Sequence, residues 1–111
     1  MRVLLDECLP RRLGRELPGH SVSTVPEAGW AGLSNGKLLA MIAGQFDAFV
    51  TIDQNLPAQQ KLAALAFGVV VLRAPSNQLA DLRPLVPRIL ATLATLQPGT
   101  IAIVSAKLGE R

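Results

Sequence analysis

Val3-Leu4-Leu5-Asp6-Glu7 and Phe49-Val50-Thr51-Ile52-Asp53 decide the fold: each is an apolar run that ends in acid. Short continuous apolar runs bounded by turn residues read as strands covered on both faces, the mark of a parallel sheet. In such α/β folds the residues just past the strand ends line the functional crevice. If the two strands are neighbours, Asp6, Glu7 and Asp53 converge there. Carboxylates so close repel unless a proton or a cation joins them. The pattern therefore predicts a divalent-metal site, most simply for Mg²⁺ or Mn²⁺.

Outward from these runs the chain alternates between strand and helix. Ser21 to Val25, Val69 to Leu72 and Thr100 to Val104 read as further strands, joining Arg2 to Asp6 and Ala48 to Ile52. Leu9, Leu13 and Leu17 make one apolar stripe between Pro10, suited to a first helical turn, and Gly19, suited to the position after a helix end. A second helix is expected over Lys37 to Gln45, capped by Ser34 or Asn35, and a third from Pro57 to about Ala66. Leu79, Leu82, Val86, Ile89, Leu90, Leu93 and Leu96 keep a helical period that Pro84 and Pro87 should interrupt near its start. The expected architecture is a single domain over residues 1–111. It is α/β, a three-layer α/β/α sandwich around a five-stranded, mostly parallel sheet with right-handed crossovers.

Composition bounds the classes of function. The 111 residues are 50% hydrophobic and 17% charged, which excludes disorder and is enough for one buried core. Aromatics are scarce, so that core must be aliphatic. No apolar stretch reaches the roughly 20 residues of a membrane span, and the N-terminus reads directly as strand rather than as a signal peptide. A lone cysteine fits a reducing compartment, so the expected location is cytoplasmic. A net charge of +3 is compatible with a polyanionic partner without requiring one.

Asp6 and Glu7 point in different directions from the end of one strand, so at least one must face the crevice. Each acid could alternatively cap a helix. Asn55 and Gln54 are polar neighbours of Asp53. Arg11, Arg12 and Arg15 follow the first acids closely and form a candidate phosphate-gripping face for nucleic acid. The alternative is a solvated helix face with Arg12 and Glu16 paired at i,i+4. Trp30 reads as a packed loop anchor, His20 as a surface residue and Cys8 as a small apolar side chain without a partner base.

The segments Val3-Leu4-Leu5-Asp6-Glu7-Cys8-Leu9-Pro10 and Val50-Thr51-Ile52-Asp53-Gln54-Asn55-Leu56-Pro57 resemble the PIN-like family of small bacterial proteins. Thr24-Val25 and Gly32-Leu33-Ser34-Asn35-Gly36 fit the same pattern, so the resemblance spans about the first two-thirds of the chain. It implies similarity to the PIN-domain toxins, with a compact α/β fold, a Mg²⁺-binding acidic cluster, ribonuclease activity and often a small antitoxin partner. Asp6 and Asp53 match the family's principal acids and Glu7 an acid flanking the first. Asn55 stands where many members have a further acid, Cys8 replaces a frequent Asn, and Ser34-Asn35-Gly36-Lys37 lacks an acid common there.

Three functions follow. The first is a toxin-type, metal-dependent ribonuclease, with Asp6, Asp53 and Glu7 catalytic and Asp6, Asp53 and Asn55 holding the metal. The second is a phospho-acceptor domain resembling response-regulator receivers, with Asp53 as acceptor, Asp6-Glu7 as the acidic pair and Lys107 as the late lysine. The third keeps the fold as a catalytically impaired binding module. The partners implied are RNA, an antitoxin or a second copy of the chain in a homodimer, and not a membrane.

Overall fold

The computed structural model describes residues 1–56 and 62–105. Among these residues five strands form one sheet: β1 (Arg2–Leu5), β2 (Ser21–Thr24), β3 (Ala48–Thr51), β4 (Gly68–Arg73) and β5 (Ile101–Ser105). Their spatial order is β2-β1-β3-β4-β5 and every pairing is parallel, as the continuous apolar runs require. The α/β class is therefore as expected, and the sheet is wholly rather than mostly parallel. β3 is buried along its whole length and β4 at all but Arg73, consistent with strands that carry neighbours on both edges and layers on both faces.

Two apolar layers cover the sheet. One joins Val3, Leu5, Val50 and Leu72 to Leu9, Leu13 and Leu17 of the first connection and to Leu82, Ile89 and Leu93 of the last. The other joins Leu4, Phe49, Val69 and Val71 to Leu38, Leu39 and Ile42 of α1 (Asn35–Ile42) and to Leu56, Leu62 and Phe67. The connections on either side of β1 thus lie on opposite faces, and the strand order reverses between β1 and β3. Chains leaving that point diverge and open a crevice at the strands' carboxyl ends.

The first connection buries its leucine stripe as expected, but its helix is a 3-10 helix over Arg11–Glu16. Six residues rise about 12 Å in a 3-10 helix against about 9 Å in an α-helix, and a four-residue strand spans about 13 Å. The tighter winding lets a short segment run back along β1. Gly14 lets it lie close, because a Cβ there would meet Val22 Cγ1 at 3.0 Å.

Ser34 caps α1, accepting from the Lys37 N–H at 3.5 Å, so the helix begins two residues before Lys37 and ends three before Gln45. Of the helix expected from Pro57 to about Ala66, residues 57–61 lie outside the described residues, and Leu62 to Ala66 are turns and irregular backbone. The proline interruption is present: α2 (Leu79–Leu82) passes through a 3-10 turn at Arg83–Leu85 into α3 (Val86–Thr95). No helix among the described residues is long and apolar enough to cross a membrane.

Candidate metal centre

Asp6 and Thr51 become neighbours through register. Leu5 pairs with Val50, so the next residues along the two strands lie side by side and project to the same face. The Asp6 N–H donates to Val50 O at 2.9 Å and carries the ladder one residue past β1. The Thr51 hydroxyl, fully buried, then donates to Asp6 Oδ2 at 2.6 Å. It accepts in turn from the Asp53 N–H at 3.1 Å. One hydroxyl therefore ties together the two acids picked out by the sequence.

Each carboxylate is held by its own loop as well. Asp6 Oδ1 accepts from the Glu7 N–H at 2.8 Å, and Asp53 Oδ1 accepts from the Asn55 N–H at 2.9 Å, closing an Asx turn. Both aspartates are partly exposed, so each keeps oxygen lone pairs available to the crevice. Gln54 locks the second loop to the neighbouring strand: its amide donates to Leu72 O at 2.6 Å, and its carbonyl accepts from Arg73 Nε at 3.2 Å. Asn77, beyond β4, donates to Cys8 O at 2.8 Å and holds the β1 loop from the other side.

The remaining expected site residues lie around this core. Glu7 is exposed and its Oε1 accepts from the Gly32 N–H at 3.3 Å, so its carboxylate is turned toward the loop before α1. Asn55 is exposed at the rim. Trp30 packs edge-on to Phe46, with ring centroids 5.9 Å apart, and anchors its loop as expected. Arg12 and Glu16 do not pair; Glu16 instead accepts from Arg83 Nε at 2.9 Å. The 3-10 winding explains this, since it aligns residues three apart rather than four. Arg11 and Arg15 line a groove beside β2, and Arg12 does not.

Cys8 adds a group that its neighbours give a defined character. Its thiol lies against the Asp6 and Thr51 side chains and the Ile52 backbone. Burial, and after it the Asp6 charge, pushes the thiol pKa up, outweighing the opposing influence of the Ile52 backbone and the Thr51 side chain. The thiolate is thus suppressed at neutral pH, and Cys8 is not an activated nucleophile. Because the Asp6 charge raises the pKa, removing it should lower the pKa and increase the thiolate fraction. Metal-free Asp6→Asn protein is expected to alkylate with iodoacetamide at pH 8 several-fold faster than the parent; equal rates would show that Asp6 does not bear on the thiol.

The Asp6 and Asp53 carboxylates are hard oxygen donors, and among the described residues no three His, Cys, Asp or Glu side chains gather into one metal group. That donor set fits Mg²⁺, which is commonly held by one or two carboxylates and keeps most of its waters. No family model, curated protein or solved structure matches the chain.

Proposed function

We propose that the crevice between β1 and β3 is a Mg²⁺-dependent phosphodiesterase site acting on RNA, in the manner of the PIN-like proteins that the chain resembles. The observation that carries this reading is the Thr51 hydroxyl joining Asp6 to Asp53 at the point where strand order reverses. Asp6 and Asp53 hold the cation, with Thr51 fixing the orientation of the Asp6 carboxylate. When bound, the cation supplies charge neutralisation at the phosphate and a water of lowered pKa. Asn55, whose side-chain amide makes no hydrogen bond among the described residues, is free to orient a water, and Glu7 flanks the site from the loop side. The test is cleavage of single-stranded RNA with Mg²⁺ present and withheld. Cleavage that persists in EDTA removes the reading, whereas Mn²⁺ binding without cleavage reduces the protein to a binding module. A small antitoxin or a second copy of the chain belongs to the same proposal, with Ile101 and Ile103 on the exposed β5 edge as apolar surface to cover.

One observation favours a second reading. The order β2-β1-β3-β4-β5 is the flavodoxin-like order, in which a ligand sits at the β1/β3 reversal. A receiver-like phospho-acceptor domain would use Asp53 as acceptor beside Asp6. Against it, Arg73 and Ala74 occupy the end of β4, where such a domain carries a hydroxyl side chain, and Arg73 is committed to Gln54. Lys107 lies outside the described residues. Acetyl phosphate that leaves Asp53 unlabelled removes this reading.

A further inference from the structure

Beside the edge strand β2 runs an open groove of about 450 Å³, within the range of small-ligand sites. Arg11, Gly14 and Arg15 of the 3-10 helix form one wall, and Val22 and Thr24 form the floor. His20 enters from the turn before β2, and Glu27 from the turn after it. None of these residues belongs to the Asp6–Thr51–Asp53 centre.

The groove's charge is unbalanced. Among the described residues neither Arg11 nor Arg15 makes an ion pair. The nearby carboxylates are already engaged: Glu16 with Arg83 at 2.9 Å, and Glu27 Oε1 with the Thr24 N–H at 3.0 Å. Two guanidinium groups against one carboxylate leave the groove positive even with His20 neutral. A guanidinium presents a planar fork of donors that matches phosphate oxygens, and two of them lining the same groove can grip a single anion. Glu27 is then the odd member. A carboxylate in a phosphate site repels a second anion but accepts from a hydroxyl, as acidic residues do from ribose.

We propose that this groove binds a ribonucleotide unit, its phosphate held by Arg11, Arg15 and His20 and a sugar hydroxyl by Glu27. The unit comes either from a free nucleotide or from an RNA strand. The inference does not rest on the metal centre.

His20 is the sequence's only histidine, so its ring resonances are unambiguous; they report on the groove and on the N-terminal ammonium, 3.4 Å from Nδ1, which is the same in every titration at fixed pH. Titration with uridine 5′-monophosphate at low salt is expected to shift them saturably, and uridine without its phosphate is not. In Arg11→Gln/Arg15→Gln protein the affinity should fall at least about tenfold, with Arg15→Gln alone intermediate, while Arg12→Gln should stay within about twofold. The replaced side chains are exposed, so melting temperatures should match the parent. A hexauridylate that saturates the shift at lower concentration than the mononucleotide assigns the groove to an RNA strand; one that does not assigns it to free nucleotide. Ring signals that move with neither probe overturn the proposal. So does an Arg12→Gln variant as damaged as the double variant, because that would mean diffuse attraction. Asp6→Asn/Asp53→Asn protein should bind as the parent does, which keeps this result separate from failure of the metal centre.

Discussion

Under the proposed phosphodiesterase function, Asp53→Asn protein is expected to lose Mg²⁺-dependent cleavage of single-stranded RNA by at least about 100-fold, since removing even an outer partner of a metal ligand costs roughly 10–100-fold. The substitution is close to isosteric. Asn retains a carbonyl oxygen for the Asn55 N–H, and the Asp53 backbone N–H still reaches Thr51, so the Asx turn should persist. What disappears is one of the two negative charges that would face the proposed cation, and hard divalent cations are held chiefly by such charge. The melting temperature should therefore stay near the parent's while Mn²⁺ affinity falls. Asp6→Asn should behave alike in cleavage and in metal binding. An Asp53→Asn protein that cleaves as the parent does would remove the metal centre from the reaction.

The pairing of these acids is a consequence of topology rather than of local sequence. β1 and β3 become neighbours because the connections around β1 take opposite faces, and the Leu5–Val50 register then sets Asp6 beside Thr51. A one-residue slip would send Thr51 to the opposite face and leave its hydroxyl in an apolar layer without a partner. The buried polar group therefore also reinforces the register on which the site depends.

Much of this was legible from residue pattern. Apolar runs identified four of the five strands, because a sheet covered on both faces needs no polar alternation; β2 at the edge was legible instead from the β-branched alternation of Ser21 to Val25. Pro84 and Pro87 announced the break between α2 and α3, since neither can donate within a continuing helix. Asp6 and Asp53 stood out because each follows a strand end. Thr51 did not: inside an apolar run a threonine reads as one more β-branched strand former, and only pairing with β1 shows what its hydroxyl meets. The leucine stripe before β2 gave burial but not helix type, because Leu9, Leu13 and Leu17 are buried alike by a 3-10 path. The sequence grouped Arg11, Arg12 and Arg15 as one face, with an Arg12–Glu16 pair as the alternative; the fold keeps Arg11 and Arg15 together with His20 in one groove, leaves Arg12 out and pairs Glu16 with Arg83. That groove joins residues from three segments, and no local periodicity records it.

The sharpest test of the Asp6–Thr51–Asp53 arrangement is Thr51→Val, which preserves shape and removes the hydroxyl. Thr51 is fully buried, so valine fills the same space. It leaves Asp6 Oδ2 without its 2.6 Å donor and the Asp53 N–H without its acceptor. Unpartnered polar groups in a partly buried site cost about 1–3 kcal/mol. At roughly 4–8 °C per kcal/mol for a domain near this size, the melting temperature should fall measurably. Metal binding should suffer independently, because an unanchored Asp6 carboxylate must be ordered at the moment of binding; Mn²⁺ affinity is expected to drop about 10–100-fold. Thr51→Ser keeps the hydroxyl and loses only a methyl group, so it should recover most of the affinity while remaining somewhat less stable. That split separates positioning from packing. If Thr51→Val melts lower yet binds Mn²⁺ as the parent does, the hydroxyl serves only the fold, and the orientation of Asp6 must come from the Glu7 N–H alone.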